Sequence, residues 1–453
     1  MSAGALSSVA WGIATLRALA APEALDPPTQ VADSAESARW AGDLHALTGA
    51  SITTHRAVLG WNFLEPERPG HWDRAAVDRC LRGLDALRAT GRDVRVTLHH
   101  QDLPRWATEA GGWLDRTTAL RFADYAYAAA ERFGDYVTDW VTSSDLAAPS
   151  VGEHVAGVYP TSTGLGARGL PSVHHVLLGH GSATRALREA GVRGGVGTTV
   201  ILFSGYPATD DLADRVAVEQ MEQWTNHLFL DPLLLGRHMT LGTGDSPVER
   251  TGCVRPGDLG IIATPQDALT LSWFNPILVA APENLPMVLP AKDCFAPLND
   301  VNRFVAPLGF AIAPFEGVST TRYGRPVIPE ALTDALATLY RVYGSALPRL
   351  NVVDNGMADP GDGATDDDRR DELDARLSWL ANAVRCGVRL GSYEYWPVSD
   401  NLTSKFQYTL LYTRTATDEA LPPMPPIPRD WTRLGEFAPH AADTASPKLT
   451  LIS

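Results

Sequence analysis

Five short places in this chain of 453 residues carry side chains able to move protons or grip a ligand. Thr142-Ser143-Ser144-Asp145 and Val353-Asp354-Asn355-Gly356 each set a carboxyl just after a strand-like run. His99-His100-Gln101-Asp102 adds two imidazoles, Arg56 lies inside another strand-like run, and Tyr395-Trp396 closes the last one. Two carboxyls in poorly solvated surroundings have pKa values pushed apart, which supplies one protonated acid and one ionised base near neutral pH. Each place also has a purely structural reading. Aspartate before Asn-Gly is a common turn former, an acid after Ser-Ser can cap a helix, His100 can be a satisfied core histidine, and Tyr395 with Trp396 can be packing or an aromatic wall. Metal and redox chemistry are not indicated. Cys80, Cys253, Cys294 and Cys386 lie far apart with no Cys-x-x-Cys pair or neighbouring histidine, so reduced thiols, no metal and no cofactor are expected.

The elements that must position these groups alternate between strands and helices, the pattern of a parallel sheet. Ser8 to Thr15, Ser51 to Leu59, Val94 to Leu98 and Tyr136 to Thr142 read as the first four strands. Val196 to Phe203, Leu259 to Ala263, Leu350 to Val353 and Leu390 to Trp396 continue the series to eight. Helical apolar spacing falls on Ala75 to Thr90, Thr118 to Phe133, Val173 to Glu189, Ala213 to Phe229, Pro329 to Tyr343 and Asp371 to Cys386. Eight strands suit one closed α/β barrel spanning 1–453 as a single domain. Residues 264–328 are rich in Pro, Asn and Gly, too long for an idle connection, and are expected to form a cap loop between strand six and helix six. Residues 420–453, with Pro-Pro-Met-Pro-Pro, are expected to form an extended tail.

Composition limits the partners. The chain is 45 % hydrophobic with a net charge of −15, and Lys292, Lys405 and Lys448 are its only lysines. That balance argues against nucleic acid, whose binding rests on clustered cations. No run of 18 or more apolar residues exists, so no membrane span is expected. The alanine-rich start lacks a basic first region and Arg17 interrupts it, so it reads as the first strand and a cytoplasmic location is expected. The expected partner is a small-molecule substrate; the sequence is silent on oligomeric state.

Several separated motifs resemble one family in order and spacing. Val96-Thr97-Leu98-His99-His100-Gln101-Asp102-Leu103-Pro104 is followed by Gly111-Gly112-Trp113-Leu114 and Phe122-Ala123-Asp124-Tyr125-Ala126. Trp11-Gly12-Ile13-Ala14-Thr15, Phe133-Gly134-Asp135, Trp140-Val141-Thr142, His174-His175-Val176-Leu177-Leu178 with His180, and Asp354-Asn355-Gly356 complete the set. Over nearly its whole length the chain resembles family 1 glycoside hydrolases, the β-glucosidases and their relatives. The resemblance implies a single (β/α)₈ TIM barrel with its chemistry at the C-terminal strand ends.

The resemblance also assigns roles, and there the chain departs from it. The family's fourth strand ends in Thr-x-Asn-Glu-Pro with an acid/base glutamate, where this chain has Asp145; its seventh ends in Thr-Glu-Asn-Gly with a nucleophilic glutamate, where this chain has Asp354. Each aspartate shortens its reach by ~1.5 Å, one carbon–carbon bond, which moves the pair from the roughly 5 to 5.5 Å of a retaining enzyme toward the roughly 6.5 to 9.5 Å of an inverting one. Arg56 is expected to orient and ionise Asp354. Of the sugar-binding positions, Leu19 stands for a glutamine, Gln101 for a tryptophan, Ser144 for an asparagine and Ala263-Thr264 for an Asn-Tyr pair. In the last loop Leu402-Thr403-Ser404 replaces Phe-Glu-Trp. His100, Asn355, Tyr395 and Trp396 remain beside Gln101 and Ser144 as candidate substrate contacts, and Leu19, Leu402, Tyr393 and Tyr395 suggest a more apolar cavity than a glycosidase needs.

A site with too few partners for sugar hydroxyls leaves them unpaired. The leading expectation is therefore a repurposed scaffold that isomerises, cyclises or eliminates on a small, fairly apolar metabolite, with Asp145 as acid and Asp354 as base. A β-glycosidase of unusual specificity and a non-catalytic binding protein are the alternatives. Fold alone does not choose among them.

Overall fold

The computed structural model describes residues 10–19, 53–100, 102–157, 164–242, 244–285, 296–315, 317–318, 326–355 and 366–395. Its strands are β1 (Ala10–Ala18), β2 (Thr54–Val58), β3 (Asp93–His99), β4 (Asp139–Ser143), β5 (Gly195–Ile201), β6 (Gly205–Pro207), β7 (Ala268–Ser272), β8 (Ile277–Ala280), β9 (Ala311–Ala313), β10 (Arg349–Asn355) and β11 (Leu390–Tyr395). Eight of them close a barrel in the order β1-β11-β10-β7-β5-β4-β3-β2, every pairing parallel. The protein is a (β/α)₈ barrel, with β10 and β11 as its seventh and eighth barrel strands.

Period-two alternation explains how the strands sit. In β3, Val94, Val96 and Leu98 join the main hydrophobic core with Leu84, Leu87 and Phe122 from the surrounding helices, while Arg95 reaches side chains of β11. Because β3 and β11 are not neighbours in the barrel, that contact crosses the interior, and the alternate residues must face inward. Leu269 and Leu271 of β7 and Leu350 and Val352 of β10 repeat the apolar face. Each buried Leu or Val contributes roughly 1.5 to 3 kcal/mol to the union of strands and helices.

The helices start on local signals. Asp73 accepts from the Ala76 amide at 2.6 Å to open Arg74–Ala89, and Asp115 accepts from the Thr117 amide at 2.9 Å to open Arg116–Phe133. Such caps satisfy amides that the helix itself leaves free.

The sixth strand is not where the sequence pattern puts it. Asp258–Ile262 is a short helix, and the barrel strand is β7, ten residues further on at Ala268. Asp258 takes two hydrogen bonds from Arg116 at 2.6 and 2.5 Å and one from the Arg255 amide at 2.8 Å, which ties this turn of helix to the barrel wall. A short apolar run such as Leu-Gly-Ile-Ile-Ala does not distinguish helix from strand by periodicity, and tertiary contacts decided it.

The stretch 264–328 is likewise more than a loop. After β7 it holds β8, the helix Ala296–Val305 and β9. β6, β8 and β9 form a second sheet in that order, packed on Leu212–Glu222 through Ala217, Met221, Val279, Val305 and Phe310. Since β6 follows β5 and β8 follows β7, this sheet grows from the C-terminal rim of the barrel. Residues 420–453 lie outside the described residues.

Candidate active site

Asp354 and Asp145 both stand at the C-terminal ends of barrel strands, on β10 and just after β4. Parallel strands bring those ends to one mouth, the usual place of catalysis in such barrels.

Asp354 has an unusual backbone. Among the described residues it is the one non-glycine residue with positive φ, 57°. The β10–β11 register also shifts between Val352 and Asn355, so Asp354 occupies a bulge that re-aims its side chain out of the strand's alternation. Aspartate tolerates this left-handed conformation better than most residues. The turn-forming character of Asp-Asn-Gly and a site carboxyl therefore coexist in one residue. Arg56 Nη2 donates to Asp354 Oδ1 at 3.1 Å, reaching from β2 across the barrel, and both side chains are largely buried. Asn355 is fully buried: its amide donates to the Trp273 carbonyl at 3.2 Å and its oxygen accepts from the Tyr393 hydroxyl at 2.6 Å. Asn355 thus clamps the strand end from which Asp354 projects, and the Tyr393 hydroxyl is committed to that clamp.

Asp145 is half-buried at the start of the helical segment Ala148–Ala156. Its carboxyl accepts from the Ala147 amide at 2.7 Å and the Ala148 amide at 3.2 Å. Burial pushes the carboxyl up to about 6; the two amides oppose the rise and the nearby Asp354 carboxylate adds to it. The capping reading and the acid reading again fall on the same residue. Each carboxylate oxygen has two lone-pair positions, so one amide per oxygen still leaves room for a proton.

His100 is half-buried, and burial lowers its pKa, with Arg56 lowering it further and Asp354 and Asp102 raising it. Its imidazole therefore feels the charges of both Arg56 and Asp354. Ser144 is buried, its amide donating to the His99 carbonyl at 2.9 Å and its hydroxyl to the His100 carbonyl at 3.5 Å, so it ties β4 to β3. Leu19 belongs to the hydrophobic core. Gln101, Trp396 and Leu402 lie outside the described residues, as does the side chain of Tyr395. With the sixth barrel strand at β7, Ala263-Thr264 precede it, and the residues at its end are Ser272 and Trp273.

Behind Asp354 lies a group of charges that the sequence pattern did not single out. Glu394 of β11 is fully buried, hydrogen-bonded to Arg95, with its second oxygen 3.8 Å from Arg56 Nε. Arg95 also donates to Ser392 at 3.0 Å and pairs with Asp139 at 3.5 Å. Burial raises the Glu394 pKa against the pull of Arg95 and Arg56, and Asp354 adds to the rise. The usable signal was a charged residue inside each of two strands of a parallel barrel, where apolar side chains are the rule. Among the described residues no group of three His, Cys, Asp or Glu is arranged to hold a metal ion.

The geometry sits in a chain with many relatives. Residues 28–417 match the family model for glycosyl hydrolase family 1. A bifunctional β-D-glucosidase/β-D-fucosidase of Bifidobacterium breve is 31 % identical over 404 residues, 84 % of this chain and 82 % of that enzyme. A β-glucosidase of Agrobacterium sp. is 28 % identical over 370 residues, 80 % of this chain and 75 % of its own. Among solved structures, a family 1 β-glucosidase from Thermotoga maritima shares the fold with a TM-score of 0.70 at 23 % identity, covering 86 % of this chain and 88 % of that one. On a match that spans most of its length, the chain belongs to glycosyl hydrolase family 1.

Proposed function

We propose that the protein hydrolyses β-glycosidic bonds, with Asp145 giving a proton to the leaving oxygen and Asp354 acting from the opposite side of the sugar. The observation that carries this reading is the pair of unlike carboxyls at one mouth: Asp145 held protonated up to about pH 6 and Asp354 bound to the Arg56 guanidinium. An acid whose pKa lies near working pH is an effective proton donor. With both side chains one methylene shorter than glutamate, room for a water between Asp354 and the anomeric carbon follows, and inversion is the expected stereochemistry. Asp354 then takes a proton from that water as it attacks, and Asp145 delivers its own to the departing alcohol.

The test is hydrolysis of activated aryl β-glycosides, including 2-deoxy and 6-deoxy sugars, by the wild type, Asp145→Asn and Asp354→Asn. Turnover is expected in the wild type, with at least a hundredfold loss of kcat/KM in each variant. Because the acid works only when protonated, kcat/KM falls as pH rises through about 6. Activity that survives both substitutions would refute the assignment.

A second reading has its own support. Leu19 is buried in the core and the Tyr393 hydroxyl is committed to Asn355, so neither offers a polar contact to a sugar. The same acid and base then act on a small, fairly apolar metabolite by isomerisation, cyclisation or elimination. No hydrolysis of any aryl glycoside, together with rearrangement of a ligand by the wild type and not by Asp354→Asn, would favour it; tight binding without turnover would point to a non-catalytic protein.

A further inference from the structure

We infer that Glu394 is a positioning residue for the site: held by Arg95, it is the counter-ion between two guanidinium groups and keeps Arg56 turned toward Asp354. The claim rests on geometry within the barrel. β2, β3, β10 and β11 contribute Arg56, Arg95, Asp354 and Glu394, and the four side chains meet across the interior. Arg56 presents Nη2 to Asp354 in a hydrogen bond of 3.1 Å and Nε to Glu394 in an ion pair of 3.8 Å, so the two carboxylates flank different edges of one planar group. Arg95 is gripped likewise, by Glu394 and Ser392 at one end and by Asp139, 3.5 Å away, at the other.

The charges therefore alternate from Asp139 near the start of β4 to Asp354 at the mouth. Glu394 stands between the two cations. Without that carboxylate, Arg56 loses the counter-ion at Nε that helps set the turn of its planar group, Arg95 repels it across a low-dielectric interior, and the Arg56–Asp354 pair at 3.1 Å loosens. Glu394 acts on Asp354 chiefly through Arg56, beside a direct repulsion between the two carboxylates, so its effect belongs in kcat and not in substrate binding.

Two experiments on the full chain test this, and only the second rests on the proposed hydrolysis. The first is a double-mutant cycle of Glu394→Gln and Asp354→Asn read by urea unfolding. If Glu394 holds Arg56 against Asp354, its loss already weakens that pair, so the midpoint of the double variant falls by less than the two single falls combined; additive falls overturn the inference. The second compares Glu394→Asp with Glu394→Gln in aryl β-glycoside hydrolysis. A charge role predicts that Glu394→Gln, although the closer match in shape, loses at least tenfold in kcat with KM within twofold, and that Glu394→Asp retains more. The reverse ranking makes Glu394 a packing residue and overturns the inference.

Should Glu394→Gln not fold, the paired Arg95→Met, Glu394→Met replacement removes both members of the buried pair together, which proteins commonly tolerate. The same tenfold loss of kcat is expected there, and an unchanged kcat overturns the inference. If the wild type hydrolyses nothing, that chain paired with Asp354→Asn in the urea cycle decides in its place. A non-additive cycle in a protein without glycosidase activity would sink the proposed function and leave the role of Glu394 standing.

Discussion

Asp145 has a free-energy consequence of definite sign. Its carboxyl moves from the usual 3.8 to about 6 on folding because burial disfavours the charge. Between those values the folded chain keeps a proton that the unfolded chain has released, so stability falls as pH rises through the window and stays lower above it. The penalty is on the order of 3 kcal/mol, about 1.4 kcal/mol per pKa unit. Asp145→Asn carries no charge and still accepts from the Ala147 amide, though it gives up about 1 kcal/mol at the Ala148 amide. The variant is expected to gain roughly 2 kcal/mol over the wild type at pH 7.5 and to lose that advantage at pH 4. Urea midpoints at the two pH values check it, and a wild type that is more stable at both would contradict the assigned shift. Such a group, costly to stability and placed at a strand end, is what a functional carboxyl looks like. Its position was legible from Ser143-Ser144-Asp145 and that of Asp354 from Asp-Asn-Gly, because both local turn chemistry and family motif converge on them. Glu394 was not legible, since neither turn chemistry nor motif marks it, and its meaning depends on Arg56 and Arg95 arriving from distant strands.

At the scale of elements, seven of the eight barrel strands coincide with runs read from the sequence, and the miss is informative. Val94 to Leu98 and Leu350 to Val353 carry three and two β-branched residues, whereas β7, Ala-Leu-Thr-Leu-Ser, carries only Thr270 and has the composition of either element. What placed the preceding segment is a close approach of two helices. A side chain on Gly181, in Pro171–Glu189, would collide with the Ile261 carbonyl, while Gly260, one residue earlier on the facing helix, has open space. Gly181→Ala is therefore expected to cost about 3 kcal/mol by forcing the helices apart. Gly260→Ala is expected to stabilise by roughly 0.5 to 1 kcal/mol through helix propensity alone. Thermal denaturation of the two variants distinguishes these opposite signs, and equal effects would mean that the two helices do not meet as described. The second sheet on the rim was illegible for another reason: β6 and β9 are three residues each, too short for any alternation to register.

For the whole molecule the relevant quantity is the charge of −15, carried by a chain whose three lysines all lie outside the described residues. A field of one sign over the surface repels ligands of the same sign and leaves neutral ones alone. Salt shortens its reach, from about 30 Å at 0.01 M to about 8 Å at 0.15 M. If the protein hydrolyses aryl β-glycosides as proposed, kcat/KM for a neutral glucoside is expected to be flat over that range. An aryl glucuronide, carrying one carboxylate, is expected to be a poorer substrate at low salt and to improve severalfold as salt is added. At the mouth itself Arg56 does not reverse this expectation, because its charge is shared between Asp354 and Glu394. Rates for the glucuronide that fall with salt would instead reveal a cationic contact near the substrate, and the global field would then be the weaker influence on what the barrel admits.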